Sequence, residues 1–229
     1  MPPFYFKFSK AMIVVIDTQI RRTAPDYAGV MIRCHVSNQV SPESLWQEMK
    51  IQSDQFRQRY RIEDINKLGG IYEMRQLYKQ LGKDPNRYRP SAEALCRRII
   101  NGKNLYRINA LVDIINLVSV CTGFSIGGFD ADKVVGSIGV GVGVSGELFE
   151  AIGRGLLNIE GLPVYRDQAG CIGTPTSDEE RTKLTLETTN LLMIIHSAGG
   201  KEGLDDALRL SERLLRTYVS ATGFEVDLF

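Results

Sequence analysis

The sequence lacks a surplus of charge of either sign, a long apolar run, a paired-cysteine motif and more than two histidines. With 28 lysines and arginines against 27 aspartates and glutamates, its formal net charge is +1. No global field of that size draws the chain to nucleic acid or to an acidic membrane, so any such role has to come from a local patch. The longest purely apolar run near the N-terminus, Ala11-Met-Ile-Val-Val-Ile16, is too short for a signal-peptide core and far below the roughly 18 residues of a membrane span. The expected location is the cytosol, with no membrane partner. Cys34, Cys96, Cys121 and Cys171 lie 62, 25 and 50 residues apart, so no C-x-x-C pair exists and a zinc ribbon is excluded. Only His35 and His196 add imidazole groups. The thiols are expected to be reduced and mostly buried, with no metal and no other cofactor. Fixed-period repeats and low-complexity tracts are absent as well.

What is present is an ordinary globular composition: 229 residues, 43% hydrophobic, 24% charged and 8% aromatic. That size suits one large domain or one and a half, with a core that needs no staples. Short apolar pieces at Phe4 to Phe8 and Met12 to Asp17 predict strands. From 42 to 60 the period becomes helical, with Leu45, Met49, Phe56 and Tyr60 on one face and Pro42 in the first turn. Segment 63 to 81 is helical too, kinked or broken at Gly69-Gly70. Gly82-Lys-Asp-Pro-Asn86 is the best boundary, dividing a small αβ lead-in, residues 1–82, from a second domain, residues 83–229. Beyond it, Pro90-Ser-Ala-Glu93 opens a helix that stops near Asn101-Gly102, and another covers about 110 to 122. Ser137 to Val144, Leu162 to Arg166, Cys171 to Thr174 and Leu191 to Ile195 read as strands. A terminal helix carries Leu204, Leu208, Leu215, Tyr218 and Val219, with Gly223 as its stop. The class is α+β with a β-rich second half.

Several patterns bear on chemistry. The helix at 110 to 122 is apolar nearly all round, so it should be buried. Asn109, Asp113 and Asn116 nevertheless share one face of it, at i, i+4 and i+7. Buried polar groups need partners, which are either loop backbone or a ligand. Gly141-Val-Gly143-Val-Ser-Gly146 spells a dinucleotide fingerprint, with Asp167 21 residues beyond Gly146. That motif requires a strand, a tight turn and a helix. The same alternation of valine and glycine also suits a strand closely approached by backbone. From Lys83 to Arg107 seven bases face two acids, Asp84 and Glu93. Such a window either tracks a phosphate backbone or forms a solvated face with exposed ion pairs. A Cys171–His196 dyad is conceivable, although their 25-residue spacing does not require proximity. His35 reads as a structural residue at a strand end.

Residues Tyr88 to Ile195 resemble the B3/B4 domain, the editing module in the beta subunit of phenylalanyl-tRNA synthetase. The resemblance rests on Arg89-Pro-Ser-Ala-Glu-Ala-Leu-Cys-Arg-Arg-Ile99, Arg107-Ile-Asn-Ala-Leu-Val-Asp-Ile-Ile-Asn116, Gly128-Phe-Asp-Ala-Asp-Lys133 and Glu187-Thr-Thr189, and spans about half of the chain. With no synthetase catalytic motifs present, a stand-alone member of the family is expected. The resemblance implies a mixed αβ domain of helices packed on a β-rich half, and, in the synthetase, hydrolysis of tyrosine wrongly esterified to the tRNA for phenylalanine.

Two positions depart from the family. The histidine preceding its Phe-Asp segment is Gly127 here, and the glutamate that reads the tyrosine hydroxyl aligns with Ile194. The family's Met-Gly-Gly turn corresponds to Cys171-Ile-Gly-Thr-Pro175. Both polar readers are thus missing, while a glycine turn still offers backbone donors and a tRNA hydroxyl is available to activate water. The implied function is a hydrolase acting in trans on mischarged aminoacyl-tRNA, with tRNA as partner, no DNA and no cofactor. The expected substrate-binding set is Asn109, Asp113 and Asn116 on the pocket wall, Gly127, Gly128 and Gly173 as donors, and Asp130. Arg87, Arg89, Arg97 and Arg98 would hold the acceptor-end phosphates, and no catalytic side chain is assigned. Two alternatives stand beside it: a non-catalytic module for an amino-acid-like ligand or an RNA end, and a nicotinamide enzyme.

Overall fold

The computed structural model describes residues 12–229. The strand expected at Phe4 to Phe8 lies outside them. Two four-stranded sheets carry the architecture. In one, β1 (Val14–Ile16), β4 (Ile138–Val142), β7 (Pro163–Asp167) and β8 (Gly170–Gly173) lie side by side in that order. In the other, the order is β10 (Thr222–Leu228), β2 (Ala28–His35), β9 (Asn190–Ser197) and β3 (Ile126–Asp130), antiparallel throughout. A two-stranded ribbon, β5 (Glu150–Ala151) and β6 (Gly155–Leu156), completes the strands. The helices are α1 (Thr18–Thr23), α2 (Glu43–Arg59), α3 (Gly69–Gln80), α4 (Ser91–Ile100), α5 (Ala110–Thr122) and α6 (Leu204–Val219). The fold is α+β, as the composition and the family resemblance require.

The second sheet is the middle layer. Alternate side chains of its strands enter two different cores, because successive residues of a strand point to opposite faces. Val30, Ile32, Cys34, Leu191, Met193 and Ile195 join α2, α4, α5 and α6 on one side. Met31, Leu192, Ile194 and Phe129 join Ile138, Val140, Val164, Tyr165 and Ile172 of the first sheet on the other. Burial on both faces explains why β9 reads as an unbroken apolar run, a pattern that strands wet on one side do not show. Helix α5 contacts α2, α4, α6 and β3, which is the reason it is apolar all round.

The boundary expected at 82/83 does not divide the molecule into two units. Strand β2 of the lead-in is hydrogen-bonded between β10 and β9, and its side chains sit in both cores with residues of the second half. A strand of eight residues inside a sheet cannot be detached from its neighbours without exposing theirs. Helix α6 ends at Ser220, which takes the left-handed conformation at φ 50°, and not at Gly223, which lies within β10. Strands β3, β5, β6 and β10 and helix α1 had no sequence expectation, and of β2 only its end at His35 was read. Among the described residues no helix is long and apolar enough to cross a membrane.

Candidate functional site

The clearest hollow lies between α4, α5 and the segment that follows β8, and encloses about 350 Å³. Its walls are largely apolar: Leu95, Val112, Ile115, Ile126 and Leu184 line it, with Ile108 and Ile152 at the half-exposed rim. Polar groups are few. Asn116 of α5 and Ser91 at the start of α4 face it, together with Thr174, Ser177 and Asp178 from one short turn, Ser119, which bonds the Phe124 carbonyl, and Lys183, which is paired with Glu180.

Asp178 is held from the backbone upward. Residues 174 to 177 close a tight turn in which the Thr174 hydroxyl accepts from the N–H groups of Thr176 (3.0 Å) and Ser177 (3.1 Å). Tyr78 of α3 bonds the Thr176 hydroxyl at 2.9 Å, and the Ser91 N–H donates to the Pro175 carbonyl at 2.7 Å, fixing the turn to two helices. Because β3 is the edge of its sheet, the Gly128 N–H faces outward, and Asp178 Oδ2 accepts it at 3.0 Å. The carboxylate fills the place a further strand would take. Its other oxygen fits only because Gly127 and Gly173 lack side chains: a Cβ there would lie 3.2 Å and 2.8 Å from Asp178 Oδ1. No cation pairs with Asp178 among the described residues. Burial raises its pKa from 3.8 to about 7, with the Gly128 hydrogen bond acting in the opposite sense.

The row expected on α5 divides. Asn109 is the N-cap, its Oδ1 accepting from the Val112 N–H at 3.1 Å. Asp113 accepts from the Ile108 N–H and the Trp46 indole, both at 3.2 Å, and from the Ser41 hydroxyl. Burial raises its pKa and those hydrogen bonds offset part of the rise. Both are consumed by neighbouring protein and neither lines the hollow; Asn116 alone of the three does. Of the three glycines, Gly128 lines it, whereas Gly127 and Gly173 face the other core, where a Cβ would strike the ring of Phe129. The family's two missing polar readers fall on cross-strand partners, Gly127 and Ile194, and the space above them is filled by apolar packing. Asp130 starts a short 3-10 turn, accepting from the Asp132 N–H, and bonds the Thr188 hydroxyl, both at 3.2 Å.

The basic window also differs from a simple phosphate track. Glu93 is fully buried and holds Arg75 at 2.8 Å, Arg97 at 2.7 Å and Arg89 at 3.6 Å. Arg98 stacks 3.9 Å from the Tyr106 ring centre and Arg87 lies 5.5 Å from that of Tyr88.

Two patterns left with alternatives in the sequence are decided. Gly141 to Gly146 does not open a helix, since β4 runs into a turn, and Gly143 leaves room for the Ile159 carbonyl pressed against it. It is the closely approached strand, without the geometry that binds pyrophosphate. Cys171 and His196 form no dyad: the thiol, pushed up to about 12 by burial, points to the Gly173 carbonyl, and His196 bonds Tyr27 at 3.3 Å and packs on Tyr165. His35 closes β2 and bonds Asn190 at 2.6 Å.

Asp178 was missed. It stands in Thr174-Pro-Thr-Ser-Asp-Glu-Glu180, where turn formers and three successive acids give no hint which carboxylate turns inward. The paired glycines at 127 and 128 are the one available signal, because something has to approach a strand that lacks side chains.

Residues 73–202 match the family model described as the B3/4 domain. Among solved structures, the chain is similar to an N-terminal fragment of the phenylalanyl-tRNA synthetase beta-subunit from Pyrococcus horikoshii, at 17% identity and a TM-score of 0.51. The match covers 98% of this chain and 52% of that one, so the chain spans about half the length of the fragment. No curated protein matches in sequence.

Proposed function

The chain belongs to the B3/4 domain family, and from that premise we propose that its cleft receives the aminoacyl group of a mischarged aminoacyl-tRNA and hydrolyses the ester bond to the RNA, in the cytosol. The observation that carries the reading is Asp178, a carboxyl of pKa about 7 at the end of a mostly apolar hollow. A general base works best when its pKa lies near the operating pH. Asp178 takes a proton from water as the water oxygen bonds to the ester carbonyl carbon. When the tetrahedral intermediate collapses, the electron pair of the breaking C–O bond goes to the ribose oxygen, which regains the proton. Asn116 and Ser91, whose side chains have no protein hydrogen bond among the described residues, are placed to orient the substrate's amino group.

The apolar wall favours an apolar acyl side chain. An aliphatic pocket separates neighbours that differ by a methylene by only about 1–3 kcal/mol, so the specificity is for a class of acyl groups. The test is release of amino acid from a panel of aminoacyl-tRNAs, with Asp178→Asn as the near-isosteric control. Release by the wild type and its loss in the variant are expected.

A second reading, a non-catalytic pocket for an amino-acid-like ligand, is favoured by the packing of Phe129 and Ile194 where the family carries polar readers. Saturable binding of free amino acid with no release from any aminoacyl-tRNA selects it.

A further inference from the structure

The strand of chain from Lys103 to Ile108 is a ridge with a depression on each side. Ile108 lines the cleft, while its neighbour Arg107 lines a separate groove of about 350 Å³ against α2. Consecutive residues are 3.8 Å apart at Cα, so the two depressions are adjacent. The groove is chemically unlike the cleft. Lys50, Arg57, Lys103 and Arg107 line it, with Trp46 at its side and Glu43 as its sole carboxylate. Glu43 is committed to Arg107 at 3.2 Å, and Arg57 to Asp54. Lys50 and Lys103 are exposed and form no ion pair among the described residues. On the ridge itself, Tyr106 is 66% exposed, with the Arg98 guanidinium stacked on its ring.

We infer that the ridge and groove bind the single-stranded end of an RNA, a base stacking on Tyr106 and the phosphates behind it running along Lys50 and Lys103. The inference rests on the aminoacyl-ester reading of the cleft, and names where the rest of that substrate lies. Exposed aromatic rings flanked by cations are the combination that binds single strands without sequence preference, since every base has a stacking face and every linkage a charge. An acidic protein surface would use the cations but leave Tyr106 idle. Of the four arginines expected in this role, Arg89 and Arg97 are engaged by the buried Glu93 and Arg87 and Arg98 lie against the Tyr88 and Tyr106 rings, whereas Lys50 and Lys103 carry neither kind of contact among the described residues.

The experiment is a salt titration of the binding of a short fluorescent single-stranded RNA and of deacylated tRNA. The proteins are the wild type, the double variant Lys50→Glu with Lys103→Glu, Tyr106→Ala, and Lys201→Glu as a remote control. Removing two phosphate contacts lowers the slope of log K against log salt by about 1.4 in magnitude. Loss of the stacking ring weakens binding roughly 5- to 150-fold, and the control binds as the wild type does. RNA affinity and slope unchanged in both groove variants, or no RNA binding by the wild type, overturns the inference. Hydrolysis of an amino-acid ethyl ester by the wild type, which needs the cleft but no RNA, reports on the earlier reading by itself.

Discussion

Asp178 and His196 are both ionisable groups kept neutral near pH 5 by their surroundings, but the two make stability respond to pH in opposite senses. Burial raises Asp178 from 3.8 to about 7, so between those values the folded protein binds the proton that the unfolded chain has lost, and stability falls as pH rises. Burial lowers His196 from 6.5 to about 3, so between those values the unfolded chain binds the proton that the folded protein refuses, and stability rises with pH. From about pH 4 to 6.5 the two contributions oppose each other. Asp178→Asn is therefore expected to steepen the rise of melting temperature with pH over that window, and to stabilise the protein at pH 8, where the wild type carries a desolvated carboxylate. His196→Phe is expected to leave a falling profile. Thermal melts of the three proteins at half-unit pH steps check both signs. The same carboxyl sets the expected activity profile: ester hydrolysis rises through about pH 7 and levels off above it, as the base form fills. A profile flat from pH 5 to 9 removes Asp178 as the base.

Helix α5 shows how one row of residues comes to serve two purposes. Asn109, Asp113 and Asn116 share a spacing, and the sequence leaves open whether backbone or a ligand satisfies them. Tertiary contacts assign them separately. The segments 38–41 and 107–109 fold over the helix N-terminus, where Asn38 accepts from the Leu111 N–H and Ser41 and Trp46 converge on Asp113, while Asn116 lies one turn further on, past the reach of those loops. Asn109→Ala is expected to destabilise the fold by about 1 kcal/mol through the lost cap and to leave ligand affinity unchanged. Asn116→Ala is expected to leave the urea midpoint within a few tenths of a molar and to weaken amino-acid binding in the cleft. Chemical denaturation and calorimetric titration of the two variants separate the roles. If Asn109→Ala weakens the ligand while Asn116→Ala does not, the assignment is reversed.

At the scale of the whole molecule, the lead-in and the family-matched segment form one structure. Removing residues 1–82 takes β2 from between β10 and β9, strips the sheet of a strand whose faces enter both cores, and leaves Met193, Ile194 and Ile195 without their β2 partners Ile32, Met31 and Val30. The fragment 83–229 is expected to be insoluble or to lack the near-ultraviolet signal of packed aromatic rings; a soluble fragment with a cooperative melt would contradict the shared core. The sequence by itself determined the helices α2, α4, α5 and α6, the β7 to β9 strands, the α+β class and the family, because periodicity, capping residues and local motifs are properties of neighbours along the chain. It did not disclose β2, because a strand buried on both faces lacks the alternation that marks a half-buried one, whereas Phe224-Glu-Val-Asp-Leu228 of β10 does alternate and its strand pattern was there to be read. Nor did it disclose the site. The tertiary structure alone decided that Asp178, 50 residues from Gly128, turns into the open edge of β3. It also decided that Glu93 engages the arginines nearest to it. Which carboxylate is desolvated and which is paired depends on distances between segments far apart in the chain, and those are fixed only when the sheet and helices close on one another.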